Sequence, residues 1–148
     1  MNIFERYESN VRGYCRTWPV VFDKALNAKQ WDVDGNEYID FFSGAGVLNF
    51  GHNNPKIRQA MIEYLESEGV THSLDMYSRS KQKFIERFVN VILKPRGLEY
   101  KLQFTGPTGT NVVEAALKLA RKVTGRPTVA AFPDGLHGMT LGALASTG

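Results

Sequence analysis

The chain has 148 residues, 43% of them hydrophobic and 22% charged, the make-up of an ordinary globular domain long enough to bury a core. The net charge of +3 is mild and the basic residues are scattered, which leaves no footprint for nucleic acid. No apolar run is long enough to span a bilayer, and MNIFERYESN is too polar for a signal peptide, so neither a membrane partner nor secretion is expected.

The single cysteine, Cys15, cannot form an internal disulfide, which predicts a reducing, cytoplasmic setting. His52, His72 and His137 lie far apart with no cysteine beside them, so no metal site is expected.

In chain order, residues 1–16 are polar, with Phe4, Tyr7, Val11 and Tyr14 at roughly helical spacing. A solvated arm with an aromatic stripe explains them. A sharper reading uses Arg12 or Arg16, whose planar fork of donors suits a substrate carboxylate. Residues 19–42 predict a small antiparallel sheet: Pro19 to Phe22 is apolar, Asp34-Gly35 is a hairpin pair, and Tyr38, Ile39, Phe41 and Phe42 form an apolar strand. The loop Ser43-Gly44-Ala45-Gly46 either lets backbone approach a ligand or a partner subunit closely, or is a plain turn.

Asn54 followed by Pro55 predicts a helix start, with Ile57, Met61, Tyr64 and Leu65 as its apolar stripe and Gly69 as its stop. His52, just before it, reads as a loop-packing residue rather than a general base. Residues 70–78 read as a loop whose His72, Ser73, Asp75 and Tyr77 could also line a substrate. A second helix is predicted from about Ser80 to Leu93, stopped by Pro95 and Gly97.

The chain is organised around QFTGPTGTNVVEAALKLARK. A strand is predicted at 100–105, a tight turn at 106–110, then a helix with Val112, Ala116, Leu119, Ala120 and Val123 on its apolar face and Gly125 as its cap. A glycine-rich turn at a helix N-terminus aims backbone N–H groups and the positive end of the dipole at one point, which suits a phosphate. The alternative is a loop that binds nothing, its threonine only capping the helix. A further strand at 128–132 would complete a strand–helix–strand unit of a parallel sheet, with 106–110 and 134–138 flanking one crevice at the strands' carboxyl ends. The final LGALASTG stops inside a patterned region, which predicts a segment of a longer chain.

These stretches carry a resemblance. TGPTGTNVVEAALKLARKVTG, WDVDGNEYIDFFSGAGVLNFGHNNP and HGMTLGALASTG resemble the conserved blocks of the class III aminotransferases, pyridoxal 5'-phosphate (PLP) enzymes that share the fold of aspartate aminotransferase. The match covers essentially the whole chain. Within that family ESNVRGYCRTWPVVF, GVTHSLDMY and LKPRGLEYKLQFTGPTGTN are most similar to the branch that feeds ectoine synthesis and osmotic protection.

The resemblance implies an α/β fold, the N-terminal part of the fold type I architecture. It divides the chain into an arm and small sheet at 1–50, a helical segment at 51–98 and the start of the PLP-binding large domain at 99–148. It implies transfer of the amino group of L-glutamate to L-aspartate β-semialdehyde, giving L-2,4-diaminobutyrate and 2-oxoglutarate. Carried over by residue, Gly109 and Thr110 would hold the cofactor phosphate through backbone and hydroxyl, with Thr108 beside them. Leu136, His137 and Gly138 would sit at the cofactor ring. Residues 43–47, with Ala45 and Gly46 among them, would line the substrate entrance of a homodimer or larger homo-oligomer.

Two departures stand out. Leu136 takes the place of the aromatic residue that usually stacks on the pyridine ring, which predicts weaker cofactor retention. The lysine that attaches the cofactor and the aspartate that pairs with its ring nitrogen match no position here; Lys118 and Lys122 read as a solvated helix face. The chain by itself is therefore expected to be catalytically incomplete, with an uncovered apolar edge and poor solubility. The rival reading is a nicotinamide-dependent oxidoreductase. It rests on Thr105-Gly106-Pro107-Thr108-Gly109 and Asp134, but Val112 stands where the third glycine of that fingerprint belongs.

Overall fold

Two tight turns fold residues 22–39 into a small sheet. The computed structural model describes residues 2–11 and 17–148. They fall into two compact units, Met1–Gly69 and Val70–Gly148.

The first unit starts with a short helix α1, Ile3–Tyr7, closed by a capping box between Asn2 and Glu5. Strands β1 (Phe22–Leu26), β2 (Lys29–Asp32) and β3 (Glu37–Ile39) form an antiparallel sheet in the order β1-β2-β3. The sheet begins at Phe22 rather than Pro19, as befits a residue with no N–H to give to a ladder. The hairpin at Asp34-Gly35 forms as its residues predict. Asp32, 7% exposed, ties it by accepting from the backbone N–H groups of Asp34 and Asn36, the Asn36 amide and the Tyr38 hydroxyl. Phe22 meets the Tyr38 ring edge-on at 5.5 Å. The β1–β2 turn, where Asn27 takes φ 52°, carries a weaker sequence signal.

Helix α2 runs Pro55–Glu66. Asn54 caps it by accepting from the amides of Lys56 and Ile57, with Pro55 in its first turn. The Asn54-Pro55 reading therefore holds residue for residue.

In the second unit, α3 covers Arg79–Phe88 and continues through a wider turn at Val89–Leu93 and a tight one at Lys94–Arg96. Gly97, at φ 62°, ends it. Helix α4 is Gly109–Thr124, capped by Thr108 and stopped by Gly125 at φ 69°. A single turn of helix, α5, follows at Leu141–Leu144. The loop at 70–78 is a loop, held from α3 by the Lys81 ammonium, which donates to the carbonyls of Ser73, Leu74 and Met76.

The segments 100–105 and 128–132 are not strands here. A strand exists only with a neighbour to share its ladder, and among the described residues neither segment has one. Aromatic packing fixes the first instead: the Phe104 ring sits 5.8 Å from Phe84 of α3, with the Lys81 ammonium 5.0 Å from its centroid.

Few side chains are enclosed. Leu93 and Ala143 are the buried apolar residues among those described, while Phe41, Phe42, Phe50, Phe132 and Leu141 stand open. No described helix is long and apolar enough to cross a membrane.

Candidate functional site

The turn before α4 is built for close approach. At Gly106 a Cβ would collide with the Asn111 side-chain amide, so glycine lets the turn close against the helix. Thr108, in extended conformation, accepts from the Asn111 amide through its hydroxyl and its carbonyl. Gly109 faces open space where a Cβ would be. The amides of Gly109 and Thr110 open the helix and have no carbonyl one turn back to bond. Two N–H groups, a helix dipole and an uncluttered approach therefore converge at one end of α4, and they fit a phosphate.

The loop at 134–138 comes to the same place. A Cβ on Gly138 would overlap the Thr110 side chain, so the two residues are in direct contact. The sequence predicts that 106–110 and 134–138 flank one crevice at strand ends; here the two segments meet at Gly138 and Thr110, with no strands beside them. Leu136 is 71% exposed, and His137, also exposed, donates its backbone N–H to the Thr147 hydroxyl.

Behind Thr110 lies a polar network that sequence reasoning did not single out. The Thr110 and Thr140 hydroxyls are 2.7 Å apart, and Thr140 donates to the Glu114 carboxylate at 2.6 Å. The same Glu114 oxygen accepts the amides of Gly142 and Ala143, and so caps α5. The Thr140 hydroxyl, then the Ala143 amide, hold the Glu114 carboxyl below its ordinary range, against some desolvation. The available signal was the spacing of Thr110 and Glu114, one helical turn apart on one face.

Ala45 and Gly46 lie in the first unit, in a turn at Ser43–Gly46 whose Ser43, Gly44 and Ala45 all take left-handed backbone at φ 50°, 57° and 54°. Such backbone costs roughly 1–2 kcal/mol per non-glycine residue. It is held by Asp40, which accepts the amides of Phe42 and Ser43, and whose other oxygen takes the His52 ring N–H at 2.7 Å. Asp40 is held below its ordinary range chiefly by the Ser43 amide and then by His52. Because the Asp40 carboxylate only accepts, the His52 Nε2 carries the proton on that contact. Gly51 permits this: its Cβ would lie 2.8 Å from the Asn27 backbone, to which His52 is bridged. His52 thus ties the Asp40 carboxylate to the Asn27 backbone. Arg12 and Arg16 lie outside the described residues.

A model of the family described as aminotransferase class III matches residues 12–148. The chain belongs to the class III aminotransferases. It is 60% identical over 148 residues to the diaminobutyrate–2-oxoglutarate transaminase of Halalkalibacterium halodurans, covering all of this chain and 35% of that protein. It is 60% identical over 147 residues to the enzyme of the same name from Nocardia farcinica, covering 99% of this chain and 34% of that one. Among solved structures, taurine:2-oxoglutarate aminotransferase from Bifidobacterium kashiwanohense, in complex with PLP and glutamate, aligns with a TM-score of 0.68 at 31% identity. The alignment covers 84% of this chain and 27% of that one. The chain thus spans about a third of the length of the curated relatives it matches, and its α/β architecture is that of the N-terminal part of the aminotransferase fold. Family membership also sets aside the nicotinamide reading of the turn.

Proposed function

We propose that this chain carries the phosphate-binding part of a PLP-dependent aminotransferase that moves the amino group of L-glutamate to L-aspartate β-semialdehyde, forming L-2,4-diaminobutyrate and 2-oxoglutarate. The observation that carries the reading is the 60% identity along the whole chain to transaminases of that name. It is supported by a turn whose free amides and open glycine suit a phosphate.

Bound PLP supplies an electron sink that lets an amino group leave one carbon skeleton and join another. The backbone N–H groups of Gly109 and Thr110 hold its phosphate, and Thr108 fixes the helix end that presents them. Leu136, His137 and Gly138 wall the ring. Arg12 and Arg16 are the candidates for binding substrate carboxylates, and Ala45 and Gly46 for the substrate entrance. Supply of diaminobutyrate for ectoine synthesis under osmotic stress, a cytoplasmic location and a homo-oligomer with sites shared between subunits belong to the same proposal.

The test is an acceptor comparison with the native-length protein, PLP and L-glutamate. Aspartate β-semialdehyde should give diaminobutyrate and an equal amount of 2-oxoglutarate. Transfer to other aldehydes but not to this one would overturn the substrate; no glutamate-dependent transfer to any acceptor would overturn the activity.

A further inference from the structure

The chain of hydroxyls behind the phosphate turn has a direction. An ionised carboxylate has no proton to give, so across the 2.6 Å contact the Thr140 hydroxyl donates to Glu114. A threonine hydroxyl has one proton. With that proton committed, Thr140 can only accept across its 2.7 Å contact with Thr110, so the Thr110 proton points at Thr140. What Thr110 Oγ1 has left are lone pairs, and lone pairs repel a phosphate oxygen. Thr108 differs: its hydroxyl accepts from the Asn111 amide and keeps its proton to give.

We propose that Glu114 is a positioning residue which, through Thr140, turns the Thr110 hydroxyl away from the bound anion, so that Thr110 contributes its backbone N–H alone and Thr108 supplies the hydroxyl donor. The inference rests on the PLP reading above, and it corrects the hydroxyl role that resemblance assigns to Thr110. Glu114 is anchored well enough to impose the direction: the oxygen that takes the Thr140 proton also accepts the amides of Gly142 and Ala143, and its lowered pKa keeps it ionised at neutral pH. Gly142 leaves room for it, since a Cβ there would meet the carboxylate.

The test compares the dissociation constants of PLP and of pyridoxal, which lacks the phosphate, for the native-length protein and its variants; the ratio isolates the phosphate's share. Thr110→Val keeps the backbone N–H and the side-chain shape. It should change the ratio by less than about threefold, because no charge-assisted hydrogen bond, commonly worth tenfold or more, is lost. In a Glu114→Ala background the Thr140 proton is released to Thr110, whose own proton turns to the anion. There Thr110→Val should weaken the ratio about tenfold. Glu114→Gln, which keeps the accepting oxygen, should restore the small effect; with a purely structural Glu114, Thr110→Val would cost the same in all three backgrounds.

A tenfold loss for Thr110→Val in the otherwise unchanged protein overturns the inference and leaves the PLP reading standing. It decides the matter even where Glu114→Ala does not fold. Equal binding of PLP and pyridoxal by the unchanged protein overturns the phosphate reading, and this inference with it.

Discussion

Gly138 and Thr110 are in direct contact: a Cβ on the glycine would overlap the threonine hydroxyl, and Gly138 lies at φ 134°, where side chains are rarely accommodated. The contact joins the 134–138 loop to the start of α4. Gly138→Ala should cost about 1–3 kcal/mol, as overpacking does, and should push Thr110 out of line. A lower denaturant midpoint together with weaker PLP binding is the expected pair of results. Unchanged PLP affinity would show that the contact does not set the turn.

Thr108 holds the first turn of α4 through one side-chain bond to the Asn111 amide at 3.4 Å, the long end of the range. Thr108→Ala should therefore lose stability near the lower end of the roughly 0.5–2 kcal/mol typical of such caps. Thr108→Ser should lose little. Urea midpoints of the two variants give the comparison.

Asp40 makes the first unit acid-sensitive. Its folded pKa lies below the ordinary value of 3.8, so the stability it contributes is in full force above that value and disappears as the pH falls through the folded pKa. Asp40→Asn should lower the denaturant midpoint at pH 7. The gap from the unchanged protein should close below the ordinary carboxylate value. A gap independent of pH would mean that the amides of Phe42 and Ser43, with His52, do not depend on the charge.

Leu136 presents an apolar side chain that is 71% exposed. Leu136→Phe offers a ring to stack on the pyridine, and should tighten PLP by the severalfold that about 1 kcal/mol of aromatic contact supplies. Titration of cofactor absorbance reads it, and unchanged affinity would place residue 136 away from the ring.

Local chemistry was legible in the sequence wherever a residue acts on its own neighbours. Asn54-Pro55, Thr108, Gly97 and Gly125 each cap or stop the helix their types predict. What depends on distant partners was not. Residues 100–105 alternate like a strand, yet the ladder needs a neighbour, and Phe104 packs on Phe84 instead. Ser43 and Ala45 are not residues that favour positive φ. Their left-handed turn is imposed by Asp40, itself braced by a histidine twelve positions on. Glu114 reads as one more charge on a helix face until Thr140 and the α5 amides are brought against it from 26–29 residues away.

The proposed function requires the amides at the start of α4 to hold the cofactor's phosphate. The most direct measurement is a backbone amide NMR titration of the protein with PLP and, separately, with pyridoxal. The Gly109 and Thr110 amide resonances should move strongly with PLP and stay in place with pyridoxal. PLP binding that leaves both resonances unmoved would contradict it.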